Sequence, residues 1–138
     1  MLLNLSNHAA AKWSAPQKQA AEQRFGEVRD MSFPVIDPNA DLETITELAH
    51  DYVWKCRDIF DDAANPTDAV RNPQSAIEKS AIHVMGEMTF VYQFVKLATA
   101  AGLRCVASTT ERIAVDHPDG SKMSEFRFVR FREYEKSD

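Results

Sequence analysis

The sequence predicts an α/β fold with a mainly parallel sheet and a C-terminal β-hairpin, and three observations predict it. Short apolar runs alternate with stretches of three-four apolar spacing along most of the chain. Capping residues, prolines and glycines punctuate the junctions between them. Near the end, two alternating arms flank His117-Pro118-Asp119-Gly120, a strong turn signal.

Residues 2–5 read as a first strand, apolar enough for a central parallel position buried on both faces. Ser14-Ala15-Pro16-Gln17 has the form of a capping box with proline in the first turn, and Gly26 supplies the stop, which gives a helix over about 15–25. Residues 28–33 form a moderate second strand carrying Val28, Met31 and Phe33; Pro34 and Pro38 then enforce an extended connection. Asp41 caps the next helix, whose apolar positions from Leu42 to Phe60 keep the three-four spacing. Residues 65–75, with Pro66 and Pro73, read as a long mobile loop suited to covering a site.

Residues 81–85 read as a buried strand, and Gly86-Glu87 turns it into a helix with Phe90, Val91, Phe94, Val95, Leu97 and Ala98 on its apolar face. Ala101-Gly102 ends that helix, and residues 103–107 form a fourth strand. Residues 113–115 and 123–131 supply the hairpin arms, with Phe126 and Phe128 pointing one way and Arg127, Val129 and Phe131 the other. The order is β-α-β-α-β-α-β-β-β.

At 138 residues the chain is one domain, 1–138, with the hairpin as an appendage over about 111–134. The formal net charge of -5 argues against a binder of long nucleic acid held by bulk positive charge. Cys56 and Cys105 lie in apolar patterns without metal-ligand spacing, so they read as reduced core residues and no metal site is expected. No basic leader opens the chain, and no run approaches the roughly 18 to 20 apolar residues of a membrane span. A cytoplasmic protein with no membrane partner is expected.

Strand ends carry the candidate chemistry, because in a parallel sheet they share one edge with free helix amides. His8, in the turn Ser6-Asn7-His8, suits proton transfer or phosphate contact, against the plain role of closing a turn. Asn7 can orient a phosphate or base edge, and Ser6 can donate to a ligand or cap the turn. Glu87 either caps its helix or serves as a ribose contact, a base or an N-glycosidase nucleophile. Gly86 permits close approach by a ligand. Thr89 can donate to phosphate or cap.

The stretch Ser108-Thr109-Thr110-Glu111-Arg112 is richest in donors, with the Arg112 fork suited to phosphate or to a weak ion pair with Glu111. Arg127, Arg130 and Arg132 read as a solvated face. His83 reads as structural, His50 as a helix-surface residue and His117 as part of the hairpin turn. No Walker loop, GxGxxG, GxSxG, HExxH or paired-cysteine motif is present. No cofactor is expected, and the donor pattern suits a metal-independent phosphodiester or nucleotide site.

These stretches carry a resemblance. Leu3-Asn4-Leu5-Ser6-Asn7-His8 followed by Trp13, His83-Val84-Met85-Gly86-Glu87-Met88-Thr89, Val106-Ala107-Ser108-Thr109-Thr110-Glu111-Arg112 and Phe128-Val129-Arg130-Phe131-Arg132 resemble small bacterial proteins encoded with CRISPR systems. The chain is also similar to the three-layer Rossmann-like domains related to CARF sensors, some of which are ring nucleases. The resemblance implies a homodimer that binds the second messenger cyclic oligoadenylate and cleaves it without metal, ending an antiviral signal. It implies catalytic roles for His8 as acid/base or phosphate ligand, Arg112 with Thr109 and Thr110 as charge stabilisers, and Glu87 as ribose contact or base. A noncatalytic sensor or sponge, an N-glycosidase using Glu87, and a structural partner of a CRISPR complex remain as alternatives.

Overall fold

The computed structural model describes residues 1–64 and 79–137; the loop expected over 65–75 lies outside the described residues. Five strands form one mixed sheet: β1 (Leu2–Ser6), β2 (Val28–Ser32), β3 (Ala81–Met85), β4 (Cys105–Asp116) and β5 (Lys122–Glu133). Their order is β2-β1-β3-β4-β5. β1 pairs in parallel with β2 and β3, and β3 in parallel with β4; only the last pair, β4 with β5, is antiparallel. The expected fold class is therefore the observed one.

Helices cover the two faces because side chains alternate along each strand. Leu3, Leu5, Ile82, Val84 and Cys105 pack on one side with Ile45, Ala49, Val53 and Cys56 of α2 (Leu42–Ala63) and Phe90, Phe94 and Ala98 of α3 (Met88–Ala100). On the other side, Leu2, Ala81, Val106 and Phe131 meet Ala21 and Phe25 of α1 (Ala15–Phe25) together with Trp13. Both cysteines are free and buried, and burial pushes each thiol up to about 12, so they stay protonated and inert.

Local signals set the helix limits. The Ser14 hydroxyl accepts from Gln17 N at 3.4 Å, and Gly26 closes α1 at φ 81°. The Asp41 carboxylate accepts from Thr44 N at 2.9 Å at the start of α2. Arg24 anchors α1 to the sheet by donating to Phe131 O at 3.0 Å and to Glu133 at 2.8 Å. Arg104 also donates to Glu133, and that hydrogen bond is the main cause holding the Glu133 carboxyl below its usual range.

The C-terminal region departs from expectation in two ways. The stretches expected as a fourth strand and a separate hairpin arm form one twelve-residue strand, β4, so Ser108, Thr109, Thr110 and Arg112 lie within it. Its hydroxyl-rich, β-branched sequence continues the ladder with β5 where a loop was expected. The register of β3 with β4 ends at the pair His83–Val106, so β4 outruns that pairing and continues outward beside β5.

The second departure is a β-bulge. Thr109 registers with Arg130 but Thr110 with Phe128, which leaves Val129 as the extra residue on β5. The expected alternation is thereby reset: Phe128 and Phe131 share a face, with ring centroids 5.0 Å apart. Among the described residues, no helix is long and apolar enough to cross a membrane.

Candidate functional site

At the carboxyl edge of β1 and β3, beside the hairpin, lies a cavity of about 530 Å³. The turn after β1 contributes Ser6, Asn7 and His8 to its lining, and the strand-helix elbow contributes Met85 and Gly86. A single 3₁₀ turn, Ala10–Lys12, brings in Lys12 and Trp13 and delivers the chain to the α1 N-terminus, where Ser14 and Gln17 complete that wall. Thr110, Phe126 and Phe128 form the opposite wall on the hairpin, and His83 is the remaining lining residue.

The electrostatics favour an anion. Lys12 is the cation in the lining, and no carboxylate occurs among the described residues that line the cavity. The positive end of the α1 dipole faces the same space. Phe126 and Phe128 add flat apolar surface of the kind that stacks on bases.

Beneath this lining runs a polar row across three strands. Asn4 registers with Asp30 on β2 and with His83 on β3, which places all three side chains on one face. Asn4 Nδ2 donates to Asp30 Oδ1 at 2.7 Å and to His8 O at 2.8 Å, and Ser6 Oγ donates to Asn4 Oδ1 at 2.8 Å. His83 Nδ1 meets Asn4 Oδ1 at 2.9 Å, and its Nε2 meets Ser108 Oγ at 3.1 Å.

The row also fixes the histidine's protonation. Both partners of Asn4 Nδ2 are acceptors, so the amide is oriented with its oxygen toward His83, and His83 Nδ1 carries the hydrogen. Nε2 is then an acceptor facing Ser108. The rings of Trp13 and Phe131 stand edge-on to the imidazole at 5.2 and 5.6 Å, and burial pushes its pKa down to about 4.

Of the residues expected at the site, the cavity brings together Ser6, Asn7, His8, Gly86 and Thr110. Ser108 sits beside it, held between His83 and the Met85 sulfur, which it approaches at 3.0 Å. Glu87 is elsewhere, as the N-cap of α3. Its carboxylate accepts from Thr89 N at 3.1 Å, Phe90 N at 2.8 Å and the Thr89 hydroxyl, and these bonds, the hydroxyl's first, hold it below the usual carboxylate range.

Thr89 is spent on that cap, and the Thr109 hydroxyl donates to Arg130 O at 3.1 Å. Arg112 Nε donates to Ser124 Oγ at 3.1 Å out on the hairpin. The close approach expected at Gly86 is made by protein: a Cβ there would stand 2.3 Å from the Phe33 ring.

Lys12, Trp13, Ser14 and Gln17 were missed because they precede or open a helix rather than follow a strand. His83 was read as structural, and the signal that marks it is a polar residue set, like Asn4, inside an otherwise apolar strand. Among the described residues, no group of three or more His, Cys, Asp and Glu side chains is placed to hold a metal ion.

The chain matches the Uncharacterized protein MJ1673 family over residues 1–132 and belongs to that family. No curated protein and no solved structure matches it.

Proposed function

We propose that the cavity binds cyclic oligoadenylate and that the protein cleaves it without metal, as a ring nuclease that switches off a CRISPR-associated antiviral signal. The observation that carries this is the lining itself, which joins the rings of Phe126 and Phe128 to Lys12 and a helix N-terminus without a carboxylate. Adenine bases stack on the rings, while Lys12 and the α1 dipole attract the phosphates. The resemblance of the strand-end motifs to small CRISPR-associated, CARF-related proteins supports the same substrate.

The reaction is attack of a ribose 2'-hydroxyl on the adjacent phosphorus, which needs an aligned hydroxyl, a stabilised phosphorane and a route for the proton. His8, on the cavity wall, is the acid/base group of this proposal, with Lys12 taking the charge-stabilising role first assigned to Arg112. Glu87 is left out, because its oxygens are occupied at the α3 cap and it lies outside the lining.

We take the working unit to be a cytoplasmic homodimer in which a second copy covers Phe126, 69% exposed on the cavity wall. One specific observation favours a second reading, a sensor or sponge that binds without cleaving: Glu87 and Arg112 are both engaged in local contacts. Incubation with cyclic tri-, tetra- and hexa-adenylate in EDTA, read by mass spectrometry beside a binding titration, separates them. Linear product supports the nuclease, binding of an intact ring supports the sensor, and neither overturns both.

A further inference from the structure

The row Asp30–Asn4–His83–Ser108 has no counterpart in the roles assigned so far. A purely structural row in this position would be satisfied by apolar side chains, as the flanking Leu2 and Ala81 are. Instead each member fixes the next, and the series ends on a hydroxyl beside the cavity.

Resting on the function proposed above, we propose that Ser108 is the residue that meets the ribose 2'-hydroxyl, with His83 as the proton acceptor behind it and Asn4 as the positioning residue that fixes the His83 tautomer. As O2' attacks phosphorus, the O2'–P bond forms and the P–O5' bond breaks. The 2'-hydroxyl proton passes to Ser108 Oγ while the Ser108 proton passes to His83 Nε2. The departing 5'-oxygen takes its proton from His8, the acid on the cavity wall; His83 later releases its own proton to solvent, and His8 regains one from it. The products are a 2',3'-cyclic phosphate and a 5'-hydroxyl.

Geometry supports each transfer. His83 Nε2 is an acceptor by the hydrogen-bond logic of Asn4, and Ser108 Oγ lies 3.1 Å away, within reach for a proton. Ser108 is half-buried, next to Met85, which lines the cavity, and two residues before Thr110, which also does. The chargeable groups around His83 are Asp30, reached through Asn4, and His8 and Lys12 on the cavity lining; Trp13 and Phe131 face it with apolar rings. A low pKa keeps the imidazole neutral, and therefore able to accept, across the physiological range.

The test is the pH–rate profile in EDTA of the wild type and of Ser108→Ala, Ser108→Thr and Asn4→Asp on cyclic tri-, tetra- and hexa-adenylate. Ser108→Ala is expected to lower kcat by about 30-fold or more with little change in KM, and Ser108→Thr to restore most of it. Asn4→Asp sets a carboxylate against Nδ1, raises the His83 pKa and moves the acid limb of the profile upward by about one pH unit or more. Wild-type rates in Ser108→Ala, or a slower Asn4→Asp with an unmoved acid limb, would overturn the relay while the ring-nuclease reading stands. Absence of cleavage by the wild type overturns that reading and the relay with it. If Asn4→Asp does not fold, the half-buried Ser108 pair decides alone.

Discussion

Asn4 and His83 are register partners on adjacent parallel strands, and the Asn4 carboxamide oxygen meets His83 Nδ1 at 2.9 Å inside the sheet. Both residues are buried, at 1% and 2% exposure, so neither can exchange this partner for water. Replacing Asn4 with Leu would strand the buried His83 N–H, while exposed Asp30 Oδ1 keeps its hydrogen bond from Ala10 N at 2.9 Å. The expected cost is about 1–3 kcal/mol in chemical denaturation, with the loss of the defined His83 tautomer in nitrogen NMR shifts. Unchanged stability and an unchanged tautomer would show that the row does not act as described.

Burial of His83 sets a pH dependence for stability. The unfolded chain takes up a proton at the ordinary histidine pKa of 6.5, whereas the folded chain resists until about 4. This contribution is therefore fully present above pH 6.5 and is lost progressively as pH falls to 4, up to about 3 kcal/mol. Melting of wild type and His83→Gln between pH 7 and 4 checks it: the variant should show a flatter decline. Parallel declines would remove His83 as the source.

Much of the fold was legible because its signals are local. Ser14 and Gly26 bracket α1 where expected, Asp41 starts α2, and His117-Pro118-Asp119-Gly120 makes the hairpin turn, with Gly120 at φ 86°. What was not legible depends on register. That Asn4, Asp30 and His83 share a row needs strand pairing that no single segment encodes, and the bulge at Val129 reverses an alternation that the sequence alone makes regular. The site was half visible for the same reason. Ser6, Asn7, His8 and Gly86 follow strands and were found, whereas Lys12 and Trp13 reach the cavity through a 3₁₀ turn lacking a motif.

Gly86 is required by a neighbouring ring. An added Cβ would fall 2.3 Å from Phe33 Cζ, and Phe33 is itself packed edge-on against Phe90 at 5.2 Å. Gly86→Ala is expected to destabilise by about 1–3 kcal/mol, and Phe33→Leu in the same chain to recover part of that loss. Additive effects of the two substitutions in a double-mutant cycle would contradict the clash.

Glu87 is a cap in this structure, so Glu87→Ala should lower the melting temperature, because Thr89 N and Phe90 N lose their acceptor. Ring cleavage below that temperature should match the wild type. A rate loss of about tenfold or more in a folded variant would return Glu87 to the chemistry.

The cavity as the seat of ring cleavage is tested most directly by the initial rate of linear product formation from cyclic oligoadenylate in EDTA, for the wild type beside Lys12→Ala and His8→Ala. Conversion by the wild type with a loss of about tenfold or more in each variant is the expected result. Equal rates in all three chains would place the chemistry elsewhere.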